Sequence, residues 1–211
     1  MAEDACDLVL AHHLLEQRAP SVTNDFALNP PERLLLVSGP NQGGKTTFAR
    51  MFGQLHYLAR LGLPLPARSA TLLWWQGLYT HFERAEDIRN LHGKLEDDLV
   101  RMHAILQQVR RDSVVIMNEI FSSTTTDDAR LLGQRVLRQL LDLGALGVCV
   151  TFIDELARMD PAIVSMASTV DPEDPAIRTF RVVRKPPDGK TFARALAAKH
   201  HLTRADLEAR L

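Results

Sequence analysis

Short, continuous apolar runs alternate along the chain with longer segments in which apolar residues recur every three or four positions. The continuous runs are typical of buried strands, and the helical spacing is typical of amphipathic helices. The runs predict strands at 34–38, 72–75, 114–117, 147–151 and 179–183, with a shorter strand inside 21–26. The helical spacing predicts helices that begin near 44–46, cover 95–109 and 131–141, and follow a turn at 186–189.

The order of these elements predicts the fold class. Strands that alternate with helices are typical of βαβ units, so we expect an α/β domain with a largely parallel sheet. Residues 33–211 contain the alternating elements and are predicted to form this domain. Residues 1–32 contain three prolines and are predicted to be a lead-in segment with a single strand.

The composition is that of an ordinary globular protein. Of the 211 residues, 45% are hydrophobic and 24% are charged, which excludes a collagen, a coiled coil and a wholly disordered chain. The formal net charge of −1 gives no argument for nucleic-acid or membrane binding. Two cysteines are too few for a disulfide framework or a zinc site. The acidic first residues and the lack of an apolar run of ~18 residues predict a cytoplasmic protein without a membrane span.

Two segments carry an unbalanced charge. Residues 83–98 contain six acidic and three basic side chains, and residues 177–211 contain nine basic and three acidic ones. A solvated helix face is the simplest interpretation of each segment. The basic segment would also suit contact with DNA phosphates or with a neighbouring domain.

One segment matches a complete phosphate-binding motif. The sequence from Gly39 to Thr46 fits the Gly-x4-Gly-Lys-Ser/Thr P-loop, or Walker A motif, between an apolar strand and a helix. Glycines let several backbone N–H groups turn toward one phosphate, and the helix N-terminus adds a favourable dipole. Lys45 is expected to reach the β- and γ-phosphates, and the Thr46 hydroxyl to bind Mg²⁺. The candidate nucleotide-binding residues are Gly39, Pro40, Asn41, Gln42, Gly43, Gly44, Lys45, Thr46 and Thr47.

The strand at 114–117 supplies the second part of a candidate catalytic site. A P-loop site needs a metal ligand at the end of a neighbouring strand and an acid that polarises the attacking water. Asn118 and Glu119 follow this strand. We expect Glu119 to be the general base and Asn118 to serve the metal, more weakly than an aspartate because its amide is neutral. A surface acid that caps the next helix is the alternative interpretation of Glu119.

Five consecutive hydroxyl residues, 122–126, precede Asp127 and Asp128 at the start of a predicted helix. By themselves they are typical of helix N-capping. Because they occur in the same chain as a P-loop, they also suggest a role at a nucleotide site.

Together these motifs resemble the ATPase domain of the MutS family, within the ABC-type P-loop ATPases. The loop Gly-Pro-Asn-Gln-Gly-Gly-Lys-Thr-Thr at 39–47 is close to the family's Gly-Pro-Asn-Met-Gly-Gly-Lys-Ser-Thr. Residues 119–126 are similar to the family's Asp-Glu-Ile and Thr-Ser-Thr stretch, and this hydroxyl loop is, like the P-loop, a specific match. Residues 22–28 and 61–67 are similar to the family's adenine-side strand and Gly-x-x-x-Pro-Ala turn, and a weaker similarity to its late β-turn occurs at 188–192. The resemblance implies an ABC-type mixed or parallel sheet flanked by helices.

The resemblance also implies a function. It implies an ATPase that uses ATP and Mg²⁺ and pairs head to tail with a second copy, with Val22 on the adenine side of the site. The partner's hydroxyl loop would complete each site, so that Thr125 or a neighbour would contact the γ-phosphate in trans. DNA in such a DNA mismatch repair protein would be bound by other domains. The chain is too short to include them, so we expect a domain of a longer protein, with a stand-alone ATPase module as the alternative.

Three departures from the family pattern favour an alternative function. Asn118 replaces the aspartate before the catalytic glutamate, and Phe152 replaces a histidine that senses the γ-phosphate. Residues 93–98 lack the family's Ser-x-Phe-x-x-Glu. An ATP-dependent dimerisation switch with very slow or no hydrolysis would fit these changes. His81 is a candidate replacement for the missing histidine, and a P-loop kinase is a third interpretation that the hydroxyl run fits poorly.

Overall fold

The computed structural model describes residues 1–82, 93–174 and 177–187, which form two sheets and the helices that cover them. In chain order the elements are β1 (Ala2–Ala5), α1 (Leu8–Glu16), β2 (Asn24–Phe26), β3 (Leu34–Ser38), α2 (Lys45–Arg60), β4 (Ser69–Ala70), β5 (Leu78–His81), α3 (Lys94–Gln108), β6 (Val114–Asn118), α4 (Thr126–Asp142), β7 (Leu146–Val150), β8 (Ile163–Val170) and β9 (Arg178–Arg184). A 3₁₀ helix, Asp154–Arg158, lies between β7 and β8.

The larger sheet has the strand order β5-β6-β7-β3-β8-β9. Its first five strands run parallel, and β9 is antiparallel to β8. This sheet confirms the prediction of an α/β fold with a mixed, largely parallel sheet flanked by helices. Because parallel strands end at the same edge of a sheet, the segments that follow β3, β6 and β7 lie along one edge.

The larger sheet has a hydrophobic core on each face. Leu34 and Leu36 of β3 pack with α3, α4 and the 3₁₀ helix, whereas Leu35 and Val37 pack with α2. Successive residues of a strand point to opposite faces, so one continuous apolar run serves both cores. In the described part of the chain, no helix is long and apolar enough to cross a membrane.

Residues 1–32 contain more structure than the single strand that the sequence predicts. β1 pairs antiparallel with β2 and β4, and this small sheet packs on α2. The centroid of the Phe26 ring lies 5.0 Å from that of Phe52, which in turn lies 4.4 Å from that of His56. Burial in this cluster lowers the pKa of His56 to about 4. The segment shares its core with the P-loop helix, and its treatment as a separate unit stays a prediction.

Four predicted strands of the larger sheet are confirmed as β3, β6, β7 and β9, and three predicted helices are confirmed as α2, α3 and α4. The prediction of a strand at 72–75 is wrong. This segment has no regular secondary structure and packs on the end of α2. Trp75 donates a 2.9 Å hydrogen bond to the His56 carbonyl, and the Arg60 guanidinium lies 4.1 Å from the ring centroid of Trp74. The strand that borders β6 is β5.

The apolar pattern does not predict β8, because Ser165, Ser168 and Thr169 interrupt its hydrophobic residues. Other predictions fall wholly or partly outside the described residues. These are residues 83–92 of the acidic segment, residues 188–189 of the turn at 186–189, and the final helix in the basic segment.

Gly147 occupies a position in β7 where a side chain does not fit. A Cβ atom there would overlap the carbonyl oxygen of Val115 on β6. We predict that Gly147→Ala lowers the free energy of unfolding by about 2 kcal/mol, because the two strands must move apart. The matched control is Gly93→Ala, since Gly93 has an extended backbone and no described atom lies within 4 Å of the added methyl group.

We expect the control to change the free energy of unfolding by less than about 0.5 kcal/mol. Urea unfolding of both variants measures the difference. Equal stabilities of the two variants would contradict the close approach of β6 and β7 at Gly147.

Candidate functional site

The P-loop connects the carboxyl end of β3 to the first turn of α2. Gly39 has a φ of 117° and Gly44 a φ of 88°. Residues other than glycine rarely adopt these backbone conformations. The Gly43 N–H donates a 3.2 Å hydrogen bond to the Pro40 carbonyl and closes a turn within the loop. The observed strand, turn and helix are the structural context that the motif requires.

The side of the loop next to β8 is closely packed. A Cβ atom on Gly39 would lie 2.5 Å from the Ser168 hydroxyl oxygen, and one on Gly43 would lie 2.6 Å from it. The close approach of β8 therefore leaves no room for a side chain at Gly39 or Gly43. The sequence analysis did not identify Ser168, because no motif spans the interval from the loop to β8.

Lys45 is the first residue of α2, and its side chain is buried against the P-loop backbone. Its Nζ donates to the Gly39 carbonyl at 3.1 Å, to the Pro40 carbonyl at 3.0 Å and to the Asn41 side-chain oxygen at 3.4 Å. Burial lowers the pKa of the Lys45 ammonium, with an opposing upward effect of the Glu119 carboxylate and a further downward effect of the Arg178 guanidinium. Three charged groups thus interact at one point of the sheet edge.

Asn118 and Glu119 lie at the same edge but not on the strand next to the P-loop strand. β7 lies between β6 and β3. The prediction that the strand before Asn118 and Glu119 borders the P-loop strand is therefore wrong by one strand. The Glu119 N–H donates to the Val150 carbonyl at 2.9 Å, and the Thr151 N–H donates to the Val37 carbonyl at 3.1 Å. These two hydrogen bonds join the ends of β6, β7 and β3.

The residues at this edge fit a magnesium ion. The side-chain oxygen of Asn118 is buried and has no hydrogen-bond partner among the described residues. Mg²⁺ accepts oxygen ligands, and at phosphate sites it usually keeps one or two protein ligands, waters and phosphate oxygens. Thr46 is half-buried next to Lys45 in the first turn of α2, and its hydroxyl would be a second oxygen ligand. Asn118 and Thr46 would therefore be the protein ligands or partners of its waters.

Glu119 holds an unusual backbone conformation. Its φ is 53°, in the left-handed region, and Phe121 has a φ of 58°. Such values cost free energy in residues with a side chain and often occur where a functional group must be aimed in one direction. The alternative that Glu119 only caps the next helix is not supported, because Thr125 is the N-cap of α4.

The hydroxyl run begins α4, as the capping interpretation predicts. The Thr125 hydroxyl accepts a 3.2 Å hydrogen bond from the Asp128 N–H and donates a 2.8 Å bond to the Asp128 carboxylate. Thr125 is exposed at the surface. Its contact with a nucleotide of a second copy stays a prediction.

β9 joins the segment around Val22 to the P-loop. Val22 is 37% exposed, and its neighbour Asn24 accepts from the Val182 N–H at 2.7 Å and donates to the Phe180 carbonyl at 3.1 Å. Phe180 in turn approaches the loop, since a Cβ on Gly44 would lie 3.7 Å from the Phe180 Cα. These contacts connect the segment that contains Val22 to β9, and contact of Val22 itself with a nucleotide stays a prediction.

Arg178 also links β9 to the loop, because its Nε donates a 3.2 Å hydrogen bond to the Asn41 carbonyl. The sequence analysis did not identify Arg178 or Phe180 as site residues. The only signal was the excess of basic residues in 177–211, which does not single out one arginine.

The structure does not bring His81 to the P-loop. His81 ends β5, and β6 and β7 lie between β5 and β3, a separation of about 14 Å at normal strand spacing. Its ring lies 3.4 Å from the carboxylate of Asp98, in the first turns of α3. Burial, with the nearby Arg101, lowers the pKa of His81. Phe152 is 54% exposed directly after Thr151, so an apolar ring stands where the resemblance implies a histidine.

Comparison with known proteins supports the resemblance. A family model described as MutS domain V matches residues 35–203. The protein named endonuclease MutS2 of Thermus thermophilus is 30% identical over 183 residues, which is 85% of this chain and 24% of that protein. A protein of the same name from Thermomicrobium roseum is 30% identical over 166 residues, which is 77% of this chain and 21% of that protein.

The chain spans less than a quarter of the length of these curated relatives. The family match, in contrast, includes β3, the P-loop, Glu119, α4 and β9, and so covers the whole sheet edge described above. The chain belongs to the MutS family, as a MutS domain V, which is the ATPase domain of that family.

Proposed function

We propose that this chain is an ATP-binding and ATP-hydrolysing motor domain that works as a head-to-tail dimer with nucleotides sandwiched between two copies. The observation that carries the proposal is the complete P-loop, folded as a turn between β3 and α2 with Lys45 bonded to its carbonyls at the carboxyl edge of the sheet. Lys45 belongs to a complete P-loop, and Glu119 has its strained backbone at the end of β6. Phosphoryl transfer to water requires a cation that binds the phosphate and an acidic side chain that polarises the attacking water.

Each part of the loop has a distinct task in this proposal. The N–H groups of residues 42–47 and the start of α2 bind phosphate oxygens, because they point positive charge at an anion. Lys45 leaves the loop carbonyls and donates to the β- and γ-phosphates. Thr46 and Asn118 hold Mg²⁺, which when bound neutralises charge on the phosphate oxygens. Val22 contacts the adenine side.

Glu119 is the general base of the proposed reaction. Its carboxylate accepts the proton of the water that attacks the γ-phosphorus, while Lys45 stabilises the charge that develops on the phosphate. Thr125 of a second copy supplies the donor that faces the γ-phosphate. The exposed position of Thr125 at the start of α4 supports this role because a second copy can reach it. Its hydroxyl would exchange the Asp128 carboxylate for the γ-phosphate as acceptor.

The longer relatives suggest a connection with DNA. Both are named endonuclease MutS2, and more than three quarters of each lies outside the region matched by this chain. We propose that ATP binding and hydrolysis by this domain serve a DNA-repair-type protein in which other domains bind DNA.

Two residues favour a second candidate function, an ATP-dependent dimerisation switch with very slow or no hydrolysis. Asn118 gives the metal a neutral amide instead of a carboxylate, and Phe152 offers no hydrogen bond to a γ-phosphate. Both changes weaken steps that follow ATP binding and leave the P-loop itself intact. The two functions therefore differ in turnover and not in nucleotide affinity.

We predict that Glu119→Gln lowers the steady-state rate of phosphate release by about 100-fold or more, because glutamine cannot accept the proton of the attacking water. ATP affinity should change little, since the P-loop is unaltered. The matched control is Glu173→Gln, an exposed acid in the turn after β8, which should leave turnover unchanged. Unchanged turnover in Glu119→Gln would show that another group is the base. If water is the sole acceptor of the phosphate, the interpretation of the chain as a P-loop kinase is excluded.

Sedimentation of the 211-residue chain with Mg²⁺ and either ATP or ADP tests the proposed dimer. We expect a dimer with ATP that decays at the rate of phosphate release, because the γ-phosphate joins the two copies. A dimer that persists without phosphate release would favour the switch. A monomer with both nucleotides would contradict dimerisation by this domain alone.

Asn118→Asp tests whether the missing charge limits hydrolysis. We predict about tenfold faster phosphate release, because a carboxylate holds Mg²⁺ more tightly than an amide does. Asn29→Asp, on an exposed loop, is the control for added negative charge and should have no effect. Absence of any gain in Asn118→Asp would place the limit at another position, such as Phe152.

A further inference from the structure

β8 places a buried hydroxyl group against the P-loop. Ser168 is 2% exposed, and its Oγ has no hydrogen-bond partner in the described part of the chain. The same oxygen adjoins both Gly39 and Gly43, the two loop residues on which a Cβ would collide with it. Leaving a buried hydroxyl unpaired costs free energy, so its retention at this position calls for a physical explanation.

The loop carbonyls next to this hydroxyl have Lys45 as a donor. Lys45 Nζ donates to the carbonyl oxygens of Gly39 and Pro40. A nucleotide phosphate that draws the ammonium toward itself removes this donor from both carbonyls. A buried carbonyl that loses its donor is itself costly, and the cost opposes nucleotide binding.

We propose that Ser168 is a positioning residue that takes over from Lys45 when nucleotide binds. While Lys45 bonds to the loop, the Gly39 carbonyl is not in hydrogen-bonding position for the Ser168 hydroxyl, which has no partner among the described residues. Once Lys45 has released this carbonyl, a small shift of the loop lets the Ser168 hydroxyl donate to it. One hydrogen bond replaces another, and no proton leaves either group. The exchange holds the loop in its turn while Lys45 engages the phosphate. This inference rests on the proposed ATP binding and adds a residue that the P-loop motif does not contain.

The geometry favours this role over that of a simple spacer. Ser38 at the end of β3 is paired with Ala167, so Ser168 stands beside Gly39, the residue whose carbonyl is released. A second serine on the same strand provides the comparison. Ser165 also has a buried Oγ without a partner among the described residues, but it pairs with Leu36 inside the sheet, away from the loop. Any general cost or benefit of a buried serine on β8 applies to both residues.

The test compares Ser168→Ala with Ser165→Ala in the full 211-residue chain. Two quantities are measured: the Kd for a non-hydrolysable ATP analogue with Mg²⁺, and the melting temperature without nucleotide. For Ser168→Ala we expect a Kd about 3- to 10-fold higher, the effect of one lost hydrogen bond. The melting temperature without nucleotide should not fall, because the hydroxyl has no partner in that state. Ser165→Ala should leave the Kd unchanged.

Three results would overturn the inference. The first is an unchanged Kd in Ser168→Ala. The second is an equal rise of Kd in both variants. The third is a rise of Kd together with a lower melting temperature without nucleotide, which would indicate a structural role. Failure of the unaltered chain to bind the analogue would contradict the proposed function itself, and this outcome is distinct from the other three.

Discussion

The pairing of β3 with parallel strands on both sides determines where the polar groups of the candidate site lie. β7 borders it on one side and β8 on the other, and all five of its residues are buried. The loop that follows can therefore leave the sheet only at the carboxyl edge. The same pairing places Glu119 beyond β7 and Ser168 within contact of the loop, so one buried strand aligns residues that are up to 130 positions apart.

Several unpaired polar atoms and left-handed backbone conformations lie at this edge, and others lie elsewhere in the described part of the chain. Asn118 and Ser168 each hold a buried oxygen without a partner among the described residues. Gln42, Glu119 and Phe180 have φ values of 60°, 53° and 58°. Each such conformation costs roughly 1 kcal/mol or more in a residue with a side chain. Stability alone does not explain these features, and those beside the P-loop are consistent with the proposed nucleotide site.

The sequence predicts the parts of this site that depend on neighbouring residues. The P-loop is a local motif, and its strand, turn and helix follow from residues 34–60, so their prediction needed no tertiary information. The capping of α4 by Thr125 depends on Asp128, three residues away, and is equally local. The α/β fold follows from the alternation of apolar runs with helical spacing.

The rest depends on packing between distant segments. The run at 72–75 is as apolar as a strand, but its tryptophans pack on the end of α2 and Arg60. β8 contains three hydroxyl residues and does not read as a strand, although its pairing with β3 makes it one. Ser168, Arg178 and Phe180 reach the loop from β8 and β9, and no spacing rule links them to a motif more than 120 residues earlier.

In the proposed function, the charge of the residue at position 118 determines how tightly the site holds its metal ion. The Lys45 ammonium is influenced by one carboxylate, Glu119, and one guanidinium, Arg178. Asn118 adds a buried oxygen without charge, so a polyphosphate meets two cations and one anion, whereas an aspartate at 118 would make the numbers equal. The neutral amide would hold a metal ion more weakly than a carboxylate, without weakening the attraction of the phosphates. Position 118 would therefore separate the proposed motor from the proposed switch through turnover and not through nucleotide affinity.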